Sequence, residues 1–212
     1  MDDRLTDLSV RDLVERLATN DPIPGGGSAS ALAGAMGAAL VQMVVALTVG
    51  RPSAAEHGAA LMEIAESAVA AQSDLLRLAE LDAAAYAAVV TARRLPRDTE
   101  RERQARDVQV AAATREATMA PLETARSAAG VLGLAERLAP IGNRHAISDV
   151  GVGALLAAAA MRGAALNVRI NLPHLPADEP LRVEAAAVVD EVLGGLDARE
   201  AALRRAVEER LG

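Results

Sequence analysis

The stretch DPIPGGGSASALAGAMG, residues 21–37, decides how this chain is to be interpreted. Two prolines, three consecutive glycines and a serine stand directly before a long run of small apolar residues. From Pro22 to Gly50 the sequence contains no charged residue. Three interpretations follow: a membrane entry, a phosphate-binding loop, or a ligand loop that leads into a buried helix.

The glycine loop does not fit a phosphate site. Gly25-Gly26-Gly27-Ser28 lacks the Lys-Ser/Thr ending of a P-loop and the GxGxxG spacing of a dinucleotide loop, and no strand precedes it. A membrane span is also disfavoured, because small residues dominate and no aromatic or basic anchor flanks the segment. A helix buried on all sides of a soluble protein shows the same pattern. Consecutive glycines in addition allow a ligand to approach the backbone closely.

The composition excludes several classes of function. The 212 residues are 51% hydrophobic, largely alanine, and the net charge of −7 argues against nucleic acid as a partner. All 22 basic residues are arginine. The absence of cysteine excludes a disulfide scaffold and a thiol nucleophile. The N-terminus is acidic and lacks the pattern of a signal peptide, so a cytoplasmic location is expected, as is a single domain over residues 1–212.

The hydrophobic periodicity predicts an all-α fold of about seven helices. Pro121 is expected to kink or restart a helix, and Ser28 or Ser30 to cap the second one. Ser30, Gly34 and Ala38 form a small face for close packing against another helix, which could belong to a second subunit. The expected helices cover about residues 9–17, 28–48, 54–95, 98–118, 121–138, 148–168 and 181–211.

Asp82 stands out in the third helix because it falls on the apolar stripe that includes Leu78 and Ala85. A buried, unpaired carboxylate is unfavourable when charged, so desolvation would raise its pKa, as a general acid requires. The alternative is that Asp82 pairs with a buried arginine or caps a nearby element. Tyr86, the only aromatic residue, lies one turn further on and either hydrogen-bonds in the same cleft or fills space.

Polar residues also mark both ends of the helix expected at 148–168. Ser148 and Asp149 are good N-caps, although a helix N-terminus also suits electron-rich ligand groups. Asn167 and Asn171 lie four residues apart on one face. Such amides either form hydrogen bonds with the donors and acceptors of a heterocyclic ligand or cap the end of the helix. The charged stretch 93–107 is interpreted as a solvated face, with substrate contact by its arginines as the lesser alternative.

Together these motifs resemble the cyclodeaminase/cyclohydrolase family. The resemblance covers nearly the whole chain, and Ile23 is its one departure, standing where threonine is usual. The matching motifs are Pro24-Gly-Gly-Gly-Ser28, Leu78-Ala-Glu-Leu-Asp82-Ala-Ala-Ala-Tyr86, Pro121-Leu-Glu-Thr-Ala125, Gly142-Asn143 with Ser148-Asp149-Val-Gly-Val, and Ala165-Leu-Asn167-Val-Arg-Ile-Asn171.

The resemblance implies an all-helical, dimeric folate enzyme with Asp82 as the proton donor. It implies 5-formimidoyl-tetrahydrofolate cyclodeaminase activity first and 5,10-methenyl-tetrahydrofolate cyclohydrolase activity as the alternative. A separate formimidoyltransferase is a further expected partner, and no metal or other cofactor is expected beyond the folate substrate. The competing class is a non-catalytic helical scaffold. The implied substrate-binding residues are Gly25, Gly26, Gly27, Ser28, Tyr86, Asn143, Ser148, Asp149, Asn167 and Asn171.

Overall fold

The structure, a computed structural model, describes residues 4–211, apart from the side chain of Ser53. These residues form seven α-helices and four short 3-10 helices, with no strand between residues 4 and 211, which confirms the all-α class. The helices are α1 (Val10–Leu17), α2 (Gly26–Ala46), α3 (Gly58–Arg93), α4 (Glu100–Leu138), α5 (Ile147–Asn171), α6 (Leu181–Leu193) and α7 (Leu196–Leu211).

Helices α2 and α5 form the centre of the bundle and run antiparallel. A methyl group added to Gly37 would lie 2.8 Å from the Gly153 carbonyl oxygen, and one added to Gly34 would lie 3.3 Å from Ala160. The two backbones therefore approach each other at several levels, because both helices place small residues at the contact. The small face predicted for the second helix thus packs against another helix of the same chain.

The predicted N-caps of α2 and α5 are wrong. Helix α2 begins at Gly26 with Gly25 as its N-cap, and α5 begins at Ile147 with Ala146 in that position. Ser28 and Ser30 lie inside α2, and both hydroxyls are used in other hydrogen bonds. Ser148 and Asp149 lie in the first turn of α5, which starts earlier because a 3-10 turn leads directly into it.

The predicted restart of a helix at Pro121 is also wrong, since α4 runs without interruption from Glu100 to Leu138. Proline lacks the N–H that would bond the carbonyl four residues earlier, here that of Ala117. Asn171 of α5 donates from Nδ2 to this carbonyl oxygen at 2.8 Å. The side-chain amide therefore satisfies the acceptor that the proline leaves free, and the helix continues.

The last predicted helix is two helices, because α6 ends at Leu193 and α7 begins at Leu196. Gly195, between them, has a φ of +69°, a conformation that glycine adopts at little cost. Helix α7 then folds back and packs on α5. The adjacent glycines at 194 and 195 carried the signal for this turn, but the apolar periodicity on both sides concealed it.

Two segments are long and apolar enough to cross a membrane by length and composition, Gly26–Ala46 and Arg144–His174. They contain the central helices α2 and α5, whose inner faces are buried in the bundle. Core helices of soluble proteins satisfy the same test, so length and composition are weak evidence here.

Candidate active site

The glycine loop and Asp82 meet where α2 begins. A methyl group added to Gly27 would lie 2.1 Å from Oδ1 of Asp82 and 2.6 Å from Oδ2. No side chain fits in that space, so position 27 requires glycine for the carboxyl group to lie where it does. The loop and the carboxyl group of Asp82 are therefore in contact, and Gly27 is the residue at the contact.

Ser28 links the same carboxyl group to the backbone of α3. Its Oγ lies 3.0 Å from Oδ2 of Asp82 and 3.0 Å from the carbonyl oxygen of Ala79. A hydroxyl has one hydrogen to donate, so it serves one of these acceptors at a time. When the hydroxyl donates to Ala79, its oxygen can accept a hydrogen bond from a protonated Asp82. The arrangement accommodates the carboxyl group in both protonation states.

The pKa of Asp82 is raised, chiefly because burial penalises the charged carboxylate. The neighbouring Ser28 acts in the opposite direction, through its hydroxyl and its backbone N–H, and lowers the pKa. No arginine among the described residues pairs with Asp82, which leaves desolvation as the dominant influence.

Asn167 approaches the neighbouring glycine from α5. A methyl group added to Gly26 would lie 3.6 Å from Nδ2 of Asn167, an ordinary contact distance. The same Nδ2 donates to the carbonyl oxygen of Gly163 at 2.9 Å. Ser30 occupies the space beside Gly163 and donates to the carbonyl oxygen of Gly26 at 2.7 Å. Consecutive glycines are thus flanked by an amide on one side and a carboxyl group on the other.

Asn171 and Tyr86 complete this level of the bundle. Asn171 lies one turn beyond Asn167 on α5 and donates to the Ala117 carbonyl of α4. Tyr86 lies one turn beyond Asp82 and is 42% exposed. Gly26 is exposed and Asn167 half-buried, so solvent and a ligand can reach this group of residues.

Asn143, Ser148 and Asp149 lie at the opposite end of the α2–α5 pair. The backbone N–H of Asn143 donates to Thr48 Oγ1 at 2.8 Å, and its Nδ2 donates to the Leu47 carbonyl at 3.2 Å. The contact is thus just beyond the end of α2, whose 21 residues span roughly 30 Å. Within one chain these three residues are therefore far from Asp82, and their role in substrate binding stays a prediction.

Some groups near the site were not predicted from the sequence. The carbonyl oxygens of Ala79 and Ala117 are backbone atoms, and no side-chain pattern marks them. Gly163 precedes Asn167 by one turn, and this spacing was a usable signal. Within residues 4–211 no group of three or more His, Asp or Glu side chains is arranged to hold a metal ion.

The fold and this site define an α-helical protein with a partly buried carboxyl group at the start of a glycine-initiated helix. The profile of the family described as formiminotransferase-cyclodeaminase matches residues 9–191. The chain therefore belongs to this family, as the sequence resemblance indicated.

Individual relatives carry two different activities in their names. A methenyltetrahydrofolate cyclohydrolase of Methylorubrum extorquens is 40% identical over 167 residues, covering 79% of this chain and 80% of that protein. The formimidoyltransferase-cyclodeaminase of Rattus norvegicus is 32% identical over 206 residues, but this chain spans only 38% of its length. The crystal structure of formiminotetrahydrofolate cyclodeaminase from Thermotoga maritima matches 98% of this chain with a TM-score of 0.81 and 26% identity.

Proposed function

We propose that this protein is an enzyme that interconverts one-carbon derivatives of tetrahydrofolate by acid–base catalysis at Asp82. The observation that carries the proposal is the desolvated carboxyl group held against Gly27 and Ser28 at an accessible edge of the bundle. The names of the relatives supply the substrate class. The raised pKa of Asp82 supplies the means, because a carboxyl group that keeps its proton nearer to neutral pH can act as a general acid.

Two reactions fit this carboxyl group. In the cyclohydrolase reaction, water adds to the methenyl carbon, and the ring opens when the nitrogen that leaves carbon receives a proton. In the cyclodeaminase reaction, N10 adds to the formimidoyl carbon, and ammonia leaves after its nitrogen is protonated. In both reactions Asp82 would deliver the proton to the departing nitrogen, and the hydroxyl of Ser28 would then stabilise the carboxylate by donating to it.

We place the cyclohydrolase first. Of the relatives named above, the Methylorubrum protein combines the higher identity with a similar length, whereas the family resemblance implied the cyclodeaminase first. The cyclodeaminase remains the second candidate because the Thermotoga structure, which matches nearly the whole chain, carries that name. The amides of Asn167 and Asn171, the exposed loop at Gly25 and Gly26, and Tyr86 are proposed to contact the folate in either case.

The discriminating experiment supplies the purified protein with each substrate separately. Loss of the absorbance of 5,10-methenyl-tetrahydrofolate, above the spontaneous rate, identifies the cyclohydrolase. Appearance of that absorbance from 5-formimidoyl-tetrahydrofolate, with ammonia released, identifies the cyclodeaminase. A well-folded protein that turns over neither substrate would favour the non-catalytic scaffold. Unchanged turnover after dialysis against EDTA is expected, because the proposal assigns no step to a metal or other cofactor.

We also propose a water-soluble homodimer formed through the outward face of α2 and α5. This face exposes a row of large apolar side chains, which a second subunit would cover. A two-fold axis perpendicular to the antiparallel helices would bring the Asn143 end of one subunit beside the Asp82 end of the other. Its exposed apolar side chains are Met36, Met43, Val152, Leu155, Leu166 and Ile170.

Light scattering on protein purified without detergent tests this assembly. A dimer that Leu155→Glu or Leu166→Glu converts to monomer supports it, and a monomeric wild type contradicts it.

A cytoplasmic location belongs to the same proposal. A separate formimidoyltransferase is proposed as a further partner, because the longer relatives include that activity in their names. Co-purification of the two proteins tests this.

A further inference from the structure

A polar pocket lies at the end of the bundle opposite Asp82. It has a volume of about 360 Å³ and is formed by the turn after α4, the turn after α2 and the end of α7. Among the residues that the structure describes, neither aspartate nor glutamate lines it. Its polar lining comes mainly from Arg51, His57, Asn143, Arg144, His145 and Arg210.

The three arginines of this pocket meet backbone carbonyls instead of carboxylates. Arg51 donates from Nε to the Leu47 carbonyl at 2.8 Å, and Arg144 donates from Nε to the Arg210 carbonyl at 3.1 Å. Arg210 donates to the carbonyls of Pro140 and Gly142. Within residues 4–211, none of the three forms a salt bridge, and Glu56, which lies 3.6 Å from His57 of the pocket, is 82% exposed.

One donor in the pocket is buried without an acceptor. Nε of Arg210 is inaccessible to solvent and has no hydrogen-bond partner among the described residues. A buried N–H without an acceptor is unfavourable. Three like charges around one cavity also repel each other, and this repulsion falls when an oxyanion enters the pocket. The overall charge of −7 makes this concentration of cations a local feature of the pocket.

We propose that this pocket binds a small multivalent oxyanion, a phosphate or a dicarboxylate, through Arg51, Arg144 and Arg210. Guanidinium groups match the paired oxygens of both ligand types. Arg51 and Arg144 are exposed, and because each has committed only its Nε in a hydrogen bond, both terminal nitrogens remain available. Arg210 is held by its two carbonyl contacts and forms the inner wall. The site does not depend on the folate chemistry proposed for Asp82.

Calorimetric titration of the full chain at low ionic strength tests the site, with inorganic phosphate and glutarate as separate probes. Wild type is expected to bind at least one probe with a stoichiometry of one per chain. Stronger binding of phosphate identifies a phosphoryl ligand, and stronger binding of glutarate a carboxylate ligand. The double variant Arg51→Gln/Arg144→Gln should bind the preferred probe at least tenfold more weakly. Absence of binding by wild type overturns the proposal.

The matched control is Arg97→Gln/Arg101→Gln, which removes two exposed arginines elsewhere and should bind as wild type does. Equal weakening in both double variants would show a non-specific charge effect and overturn the proposal. A second measurement uses wild type alone: the bound probe should slow modification of Arg51 and Arg144 by phenylglyoxal, but not that of Arg101. Equal rates with and without the probe would also overturn it.

Discussion

Both ends of the α2–α5 pair carry polar sequence motifs, but the two ends differ in the charged groups that the fold brings together there. At one end the carboxyl group of Asp82 is partly buried, with no cation from residues 4–211 paired with it. At the other end Arg51, Arg144 and Arg210 surround a pocket that none of the described acidic side chains lines. The first arrangement favours a group that keeps its proton, and the second favours a bound anion. The chemistry of each end therefore follows from a charged or titratable group that has no oppositely charged partner among the described residues.

The largest effect is expected from Asp82→Asn, which removes the proposed proton donor while keeping its shape. Turnover of the folate substrate should fall by about a hundredfold or more, with the circular dichroism unchanged. Asp74→Asn on the same helix is the matched control, because Asp74 is exposed and pairs only with Arg77. If the turnover of Asp82→Asn is within a few-fold of wild type, Asp82 is not the proton donor. The chemical distinction between the two ends would then be lost.

Gly27→Ala should be the most damaging change within the glycine loop. The added methyl group would lie 2.1 Å from Oδ1 of Asp82, so the helix or the carboxyl group must shift. We expect a loss of about 1–3 kcal/mol in the free energy of unfolding, measured in urea, and a large loss of kcat/KM. Gly130→Ala meets nothing within 4 Å and should instead stabilise α4 by about 0.5–1 kcal/mol. Wild-type kinetics in Gly27→Ala would contradict the close contact.

Asn171→Ala should destabilise the protein through Pro121. The change leaves the Ala117 carbonyl without a donor, at a cost of about 1–3 kcal/mol. In a double-mutant cycle, Pro121→Ala restores the helical N–H, so Asn171→Ala should cost much less in that background. Equal costs in both backgrounds would show that the amide serves another purpose, and a raised KM in Asn171→Ala would indicate contact with the folate.

The smallest expected effect is a shift of the pH profile in Ser28→Ala. The Ser28 hydroxyl lowers the pKa of Asp82, so its removal should raise that pKa further and move the alkaline limb of kcat/KM to higher pH. Ser30→Ala is the control, since the Ser30 hydroxyl bonds the Gly26 carbonyl instead. A shift to lower pH in Ser28→Ala would contradict the assignment of that limb to Asp82.

The same pKa predicts how stability depends on pH. A carboxyl group with a raised pKa in the folded state contributes stability at low pH, and this contribution is lost as the pH rises through that pKa. Asp82→Asn cannot titrate, so its stability relative to wild type should increase from acid to neutral pH. Urea unfolding at several pH values measures this difference, and a constant difference would contradict the raised pKa.

Helix content and the buried stripe of α3 were predictable because they depend on local periodicity. Leu78 is buried as the spacing indicated, and Ala85 is half-buried. Helix boundaries were less predictable, because distant residues decide them. Pro121 does not interrupt α4, since Asn171 supplies the missing contact from another helix. Ser28 does not cap α2, because the helix already begins at Gly26 and the Ser28 hydroxyl lies beside Asp82 and the Ala79 carbonyl of α3.

The sequence by itself was enough to predict the helical class, to identify the family motifs and to select Asp82 as the candidate proton donor. Each of these depends on residue spacing within one segment. Only the tertiary structure decided that Gly27 faces this carboxyl group, that Asn167 lies beside Gly26, and that the Asn143 motif lies at the far end. The reason is physical: the antiparallel packing of α2 and α5 sets which residues meet, and that register depends on contacts between residues far apart in the chain.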